Sequence, residues 1–269
     1  MKVETLEKIL HGMHIWMKSY MRSFYTDDEE VQNGIVIKEI HTCYVTSIAR
    51  RLARELKFNA YDQDLAEMIG LFHDAGRFRQ YQVYKTFNDS QSEDHAELSL
   101  KVLEEEVPQF HQLDDEDQEL IKISIRNHNK KTIEHVENSR QLLFAKLIRD
   151  ADKLDIYRVL SPYLDQKNAD KMPNFIKGKQ HPEISSDFVQ NFMDGNQADF
   201  YKIRTNGDRK IVRLMWLYDI NFAWTMKMIK NRGYIEKIIS ALPMDQDVEK
   251  LQTGLDRLMK HVDDVIKSS

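Results

Sequence analysis

The chain has 269 residues, with 39 Lys and Arg against 44 Asp and Glu for a formal charge of −5, and only 9 Gly and 5 Pro. Charged residues at 31% and apolar residues at 41% exclude a disordered chain and, with so few helix breakers, favour a soluble protein built of helices. The acidic balance makes a long nucleic-acid duplex a poor partner, no stretch reaches the ~18 apolar residues that mark a membrane span, and the single cysteine, Cys43, leaves no intrachain disulfide and points to a reducing compartment.

Residues 3–25 read as an amphipathic helix lying over the core. Lys2, Glu4, Glu7, Lys8 and Lys18 break up its apolar positions, so it is no secretory signal, and a cytoplasmic location is expected. The acidic runs Asp27–Glu30 and Asp114–Asp117 read as solvated faces or helix starts. From Ile37 a sharper stripe begins: Ile37, His41, Tyr44, Val45, Ile48, Leu52 and Leu56 recur at steps of three and four, the mark of a helix with one buried face. Cys43 is expected to be a small core residue there. Leu65, Met68, Ile69 and Phe72 lead the next helix into His73-Asp74, with Gly76 offering a stop. His95 opens a third helix, Ile121 and Ile125 bring His128 inward on a fourth, and Leu143, Phe144, Leu147, Ile148 and Ala151 deliver Asp152 on a fifth.

Beyond Leu160 the texture changes. Pro162, Pro173, Gly178, Pro182, Gly195 and Gly207 punctuate residues 161–210, which read as irregular. A long apolar stripe then runs through Ile211, Leu214, Met215, Tyr218, Phe222, Met226 and Ile229, with Arg213, Asp219 and Lys227 excluding a membrane span, and a charged amphipathic helix occupies about 246–266. The expected organisation is an all-α fold: an N-terminal helical segment 1–34 packing on a core of residues 35–160, and a helical extension 161–269 of the same domain.

One feature carries chemistry. His41, His73, Asp74, His95, His128 and Asp152 all fall in apolar helical stripes, and burying four imidazoles and two carboxylates without partners would cost several kcal/mol each. Convergence on metal satisfies them together, and six N/O donors of intermediate hardness suit Mn, Fe, Co, Ni or Zn. The remaining histidines sit in more polar settings. Asp150 is expected to point away, as support or surface; a helix-surface salt bridge is the simplest reading of Asp155, and Lys153 is expected to turn away from the site.

The order H…HD…D, in His41, in His73-Asp74 of "LFHDAGRF" and in Asp152 of "RDADKLD", resembles the HD superfamily of metal-dependent phosphohydrolases over roughly residues 35–160. His95 in "DHAELS" and His128 in "IRNHNKK" look like the extra ligands of its binuclear branch. The resemblance implies an HD-type helical core and two divalent ions, one held by His41, His73, Asp74 and Asp152, the other by His95, His128 and a bridging Asp74. It implies hydrolysis of a phosphomonoester or phosphodiester of a small nucleotide-like metabolite by a metal-bridging hydroxide, with Asp74 as the bridge. Phosphoryl chemistry calls for cationic donors beside the metals, and Arg77, one turn after the HD pair, and Lys130, after His128, are the candidates that complete the catalytic set with Asp74; Gln80 and Tyr81 are candidates for shaping the pocket. A di-iron oxygenase and a non-catalytic binding or signalling module are the alternatives the same fold implies. Single-metal nucleotidases of the superfamily tend to place Glu, triphosphohydrolases His and cyclic-dinucleotide enzymes Lys where this chain has Arg77, and the GYP signature is missing.

Overall fold

Helix starts follow local capping chemistry. The computed structural model describes residues 3–164, 181–197, 202–243 and 247–267, and among these all regular structure is helical. Asp28 accepts the Glu30 and Val31 N–H groups and so caps α2, Glu29–Glu55; Asn59 does the same for α3, Ala60–Phe72; and Asp94 caps α5, His95–Glu106. Each takes up an N–H that the first turn cannot satisfy internally. The remaining helices of this part are α1 (Val3–Arg22), α4 (Ala75–Tyr84), α6 (Asp115–Asn127) and α7 (Ser139–Leu160). Both acidic runs sit at helix starts, those of α2 and α6, where they oppose the positive end of the helix dipole.

The chain divides into two compact units, residues 1–155 and 156–269. In the first, α1 buries Leu6, Ile9, Leu10, Met13 and Met17 and packs on α3, while α3 packs along α2. Gly70 sets how closely α2 and α3 cross: a Cβ there would lie 2.9 Å from the Thr46 Cα and 3.1 Å from the Val45 oxygen. The crossing carries the end of α3 toward the middle of α2. Gly76 works the same way between α4 and α5, where a Cβ would meet the Leu98 Cβ and the Ser99 nitrogen at 2.5 Å. Gly76 therefore does not stop a helix. The break falls two residues earlier, at His73-Asp74, and α4 runs through Gly76.

Two further expectations change along α2. Its buried face is His41, Thr42, Val45, Thr46, Ile48, Ala49 and Leu52, so Cys43 is exposed rather than core and Tyr44 is 48% exposed. A 27-residue helix offers several registers of threes and fours, and the close approach of α3 at Thr46 selects this one.

The second unit contains the last residues of α7 and helices α8 (Ser186–Asp194), α9 (Asn206–Met215), α10 (Ala223–Asn231), α11 (Tyr234–Ser240) and α12 (Val248–Lys267). A capping box between Thr205 and Asp208 starts α9. The long apolar stripe is broken rather than continuous: α9 passes into a single 3-10 turn, Trp216–Asp219, and the chain is extended at Phe222 before α10 begins, because Asp219 and Asn221 favour a turn over helix continuation. Of the segment read as irregular, 165–180 and 198–201 lie outside the described residues; its described parts include α8 and the start of α9.

Candidate metal centre

Four helices and one junction bring the six residues together. His41 lies on the buried face of α2, His73 is the residue after the end of α3, and Asp74 is the residue before the start of α4. His95 is the first residue of α5, His128 follows the end of α6, and Asp152 lies on α7. Helix ends are suited to this work, because they leave the side chain clear of the preceding turn and offer unpaired carbonyls.

The donor atoms form two triads, His41–His73–Asp152 and Asp74–His95–His128, each with its ligand atoms within 4.8 Å of one another. Asp74 faces both. Its Oδ2 lies 3.6 Å from His41 Nε2 and 3.7 Å from His73 Nε2, and its Oδ1 lies 3.5 Å from His95 Nε2 and 3.8 Å from His128 Nε2. Asp152 Oδ1 is 3.1 Å from His41 Nε2 and 3.8 Å from His73 Nε2.

Every one of the four imidazoles is held by its Nδ1. His73 Nδ1 donates to the Gly70 carbonyl at 2.8 Å and His128 Nδ1 to the Ile125 carbonyl at 2.7 Å. His41 Nδ1 donates to Asp155 at 2.7 Å and His95 Nδ1 to Asp89 at 2.6 Å. A proton on Nδ1 leaves the Nε2 lone pair bare in the neutral ring, which is how metal-binding histidines are oriented. The two Nε2 atoms of His95 and His128 then face each other at 2.9 Å, and those of His41 and His73 at 3.4 Å. Facing lone pairs repel unless a cation lies between them, so this donor set fits divalent metal in each triad.

Burial and charge set the protonation. Burial pushes the His73 and His95 pKa values down to about 4, which keeps both rings neutral at pH 7. His41 moves the other way, because its hydrogen bonds to Asp152 and Asp155 outweigh its burial. Burial would raise Asp74, but Lys38, His73 and Arg77 hold it well below the usual carboxylate range.

Cations surround the Asp74 carboxylate. Lys38 Nζ donates to Asp74 Oδ2 at 2.7 Å, and Arg77 Nε lies 3.5 Å from Asp74 Oδ1. The Arg77 guanidinium also donates to Asp89, to the Phe87 carbonyl, to Gln80 and, at 3.2 Å, to His95 Nε2. Both cations approach the Phe87 ring, at 5.4 Å and 6.0 Å, and Phe87 stacks on Tyr81. Gln80, wholly buried, accepts from Arg77 and reaches Asp89, Ser92 and the Glu93 carbonyl, so it fixes the loop that carries Asp89. Lys130 reaches the edge of the site: its ammonium is paired with Asp94, the cap of α5, whose carboxylate lies within 4.8 Å of a His95 ring nitrogen.

Several supporting residues escaped the sequence. Asp155 is fully buried against His41, not in a surface salt bridge, and Asp150 and Lys153 are buried as well. Asp155 sits one helical turn after Asp152, a spacing that places both on one face. Lys38 likewise precedes His41 by one turn. Asp89 comes from a loop and left no periodic signal. Arg149, 2% exposed, donates to the carbonyls of Asn127, Lys130 and Lys131, closing the end of α6 where His128 emerges. A separate cleft of about 690 Å³ between α1, α2 and α3 is lined by Arg50, Arg54, Met17 and Cys43, among others, and by none of the six.

A family model described as HD domain matches residues 39–157, the segment that supplies all six. Comparison with curated proteins and with solved structures found no match. No helix among the described residues is long and apolar enough to cross a membrane.

Proposed function

Residues 39–157 of this chain are an HD domain, and from that premise we propose that it is a metal-dependent phosphohydrolase acting on a phosphate ester of a small, nucleotide-like metabolite. The observation that carries the reading is Asp74, whose two oxygens face two separate triads while Lys38 and Arg77 stand beside them. His41, His73 and Asp152 would hold one divalent cation and His95 and His128 the other, with Asp74 shared. Such cations supply Lewis acidity toward phosphoryl oxygens and a hydroxide nucleophile at neutral pH.

The chain's own residues do the rest. Asp155 and Asp89 keep the proton of His41 and His95 on Nδ1, and the carbonyls of Gly70 and Ile125 do so for His73 and His128. Arg77, anchored by Gln80, Asp89 and the Phe87 carbonyl, holds a fixed positive charge beside Asp74 where phosphate oxygens would gather. Lys38 adds a point charge on the other side of Asp74. Two fixed cations favour an anionic substrate over an uncharged one, which favours hydrolysis of a phosphate ester over oxidation of a carbon. Lys130, through Asp94, secures the helix start that positions His95.

The test is direct. Protein purified without added metal is analysed for metal per chain, then assayed with aryl phosphomonoesters and phosphodiesters in the presence of Mn, Fe, Co, Ni or Zn. Metal-stimulated phosphate release is expected. Metal content near zero that cannot be restored rejects the reading, and so does iron-dependent dioxygen uptake without phosphate release.

A further inference from the structure

The second unit contains a buried cation that no acid among the described residues balances. Arg213 on α9 is 7% exposed, yet among the described residues no carboxylate pairs with its guanidinium and no acceptor takes a hydrogen bond from it. Its surroundings are cationic. Arg209 lies one turn before it and Lys210 three residues before it, on the same side of the helix. Burial and Arg209 push the Arg213 pKa down to about 10, and burial also lowers Arg209 and, with Arg213, Lys210.

The neighbouring polar groups are committed elsewhere. Asp208, the acid of α9, spends its carboxylate on the N–H groups of Ser185, Arg204 and Thr205 and on the Ser185 hydroxyl. Lys210 Nζ donates to the Ala241 carbonyl at 2.7 Å. Tyr157 donates its phenol to the backbone oxygen of Arg213 at 2.6 Å, not to the side chain, and its ring is held by Trp216 and Tyr234 at 6.2 and 6.0 Å. Buried charges in folded proteins are paired or bound to a ligand of opposite sign, and a guanidinium backed by a second and third cation is the chemistry of oxyanion recognition.

We propose that Arg213, supported by Arg209 and Lys210, forms an anion site in the second unit that takes a phosphate group, either free or carried by a metabolite. The proposal draws on residues of the second unit alone and does not depend on the reaction proposed for the metal centre.

Full-length protein in excess chelator, which removes metal-bound phosphate as a source of signal, is titrated with inorganic phosphate against chloride of equal ionic strength. At tenfold over the half-saturating concentration the unfolding midpoint should rise by about 3 °C or more, and Arg213→Met should lose that rise. In phosphate-free buffer Arg213→Met should be as stable as the parent chain or more so, because an uncompensated buried charge has gone. Arg213→Lys keeps the charge and loses the fork, so its phosphate affinity should fall several-fold; this variant carries the test should Arg213→Met not fold. Ribose 5-phosphate binding tighter than inorganic phosphate, with both lost on substitution, supports the site and assigns it to a phosphorylated metabolite; the reverse order supports it and assigns free phosphate. A parent chain that does not respond to phosphate, a response undiminished in Arg213→Met, or unchanged affinity in Arg213→Lys overturns the proposal.

Discussion

At the scale of single residues the centre turns on proton placement. Asp74→Ala removes the one carboxylate shared by both triads, so metal content measured by elemental analysis should fall to near zero and phosphate release with it; retained turnover would reject the site. Asp155→Asn removes the carboxylate that holds His41 Nδ1, and loss of such an outer partner typically costs about 10–100-fold in metal affinity, to be read by competition with a fluorescent chelator. The metal-free chain should also be acid-sensitive. His73 and His95 have folded pKa values near 4, below the ordinary histidine value of 6.5, so their contribution is complete above about pH 6.5 and is lost as pH falls toward 4. His41, raised instead, contributes fully below 6.5 and loses that as pH rises through its higher value. Urea denaturation of the chelated protein should therefore show stability falling from pH 6.5 to 4, and a stability that is flat across that window would contradict the assignment. The convergence of the six side chains was legible in the sequence because His and Asp seldom lie in an apolar stripe unless they meet a partner there. Lys38 and Asp155 were visible only as spacing, where a charged residue one turn away reads equally well as a solvated neighbour.

At the scale of elements, two glycines control where the donors arrive. Gly76→Ala places a methyl group against the Leu98 Cβ and the Ser99 backbone at 2.5 Å, and α4 and α5 must part to admit it. A cost of about 1–3 kcal/mol is expected from such overpacking. Metal affinity should fall as well, since Asp74 and His95 ride on those two helices; equilibrium unfolding and metal titration on the same sample check both. Asp28→Ala is the contrasting case. It removes the cap of α2 far from the donors and should cost about 1 kcal/mol with metal affinity unchanged. Helix types and most starts were legible, because caps such as Asp94 are local. Gly76 was misread for the reason that makes it useful: from sequence a glycine after a helical run looks like a stop, and only the neighbouring helix reveals that it is a point of contact. The register of α2, with Cys43 and Tyr44 outward, was likewise decided by α3 and not by α2.

For the whole molecule, the texture of the sequence changes after Leu160, where the Pro- and Gly-punctuated stretch begins, whereas the two compact units divide at residue 155, inside α7, which runs on without a break. Hydrogen exchange should expose the division: adding chelator should speed exchange in α2 through α6 while leaving α8 through α12 unchanged, and uniform acceleration would show that the two units respond as one. The donors lie between residue 41 and residue 152, on segments that no covalent bond joins except the chain itself. A chain with one cysteine has no covalent staple available, and coordination would take that office here. Such a tie opens to acid or to a competing ligand and not to disulfide reduction, so the working form of this protein would be governed by the metal supply around it.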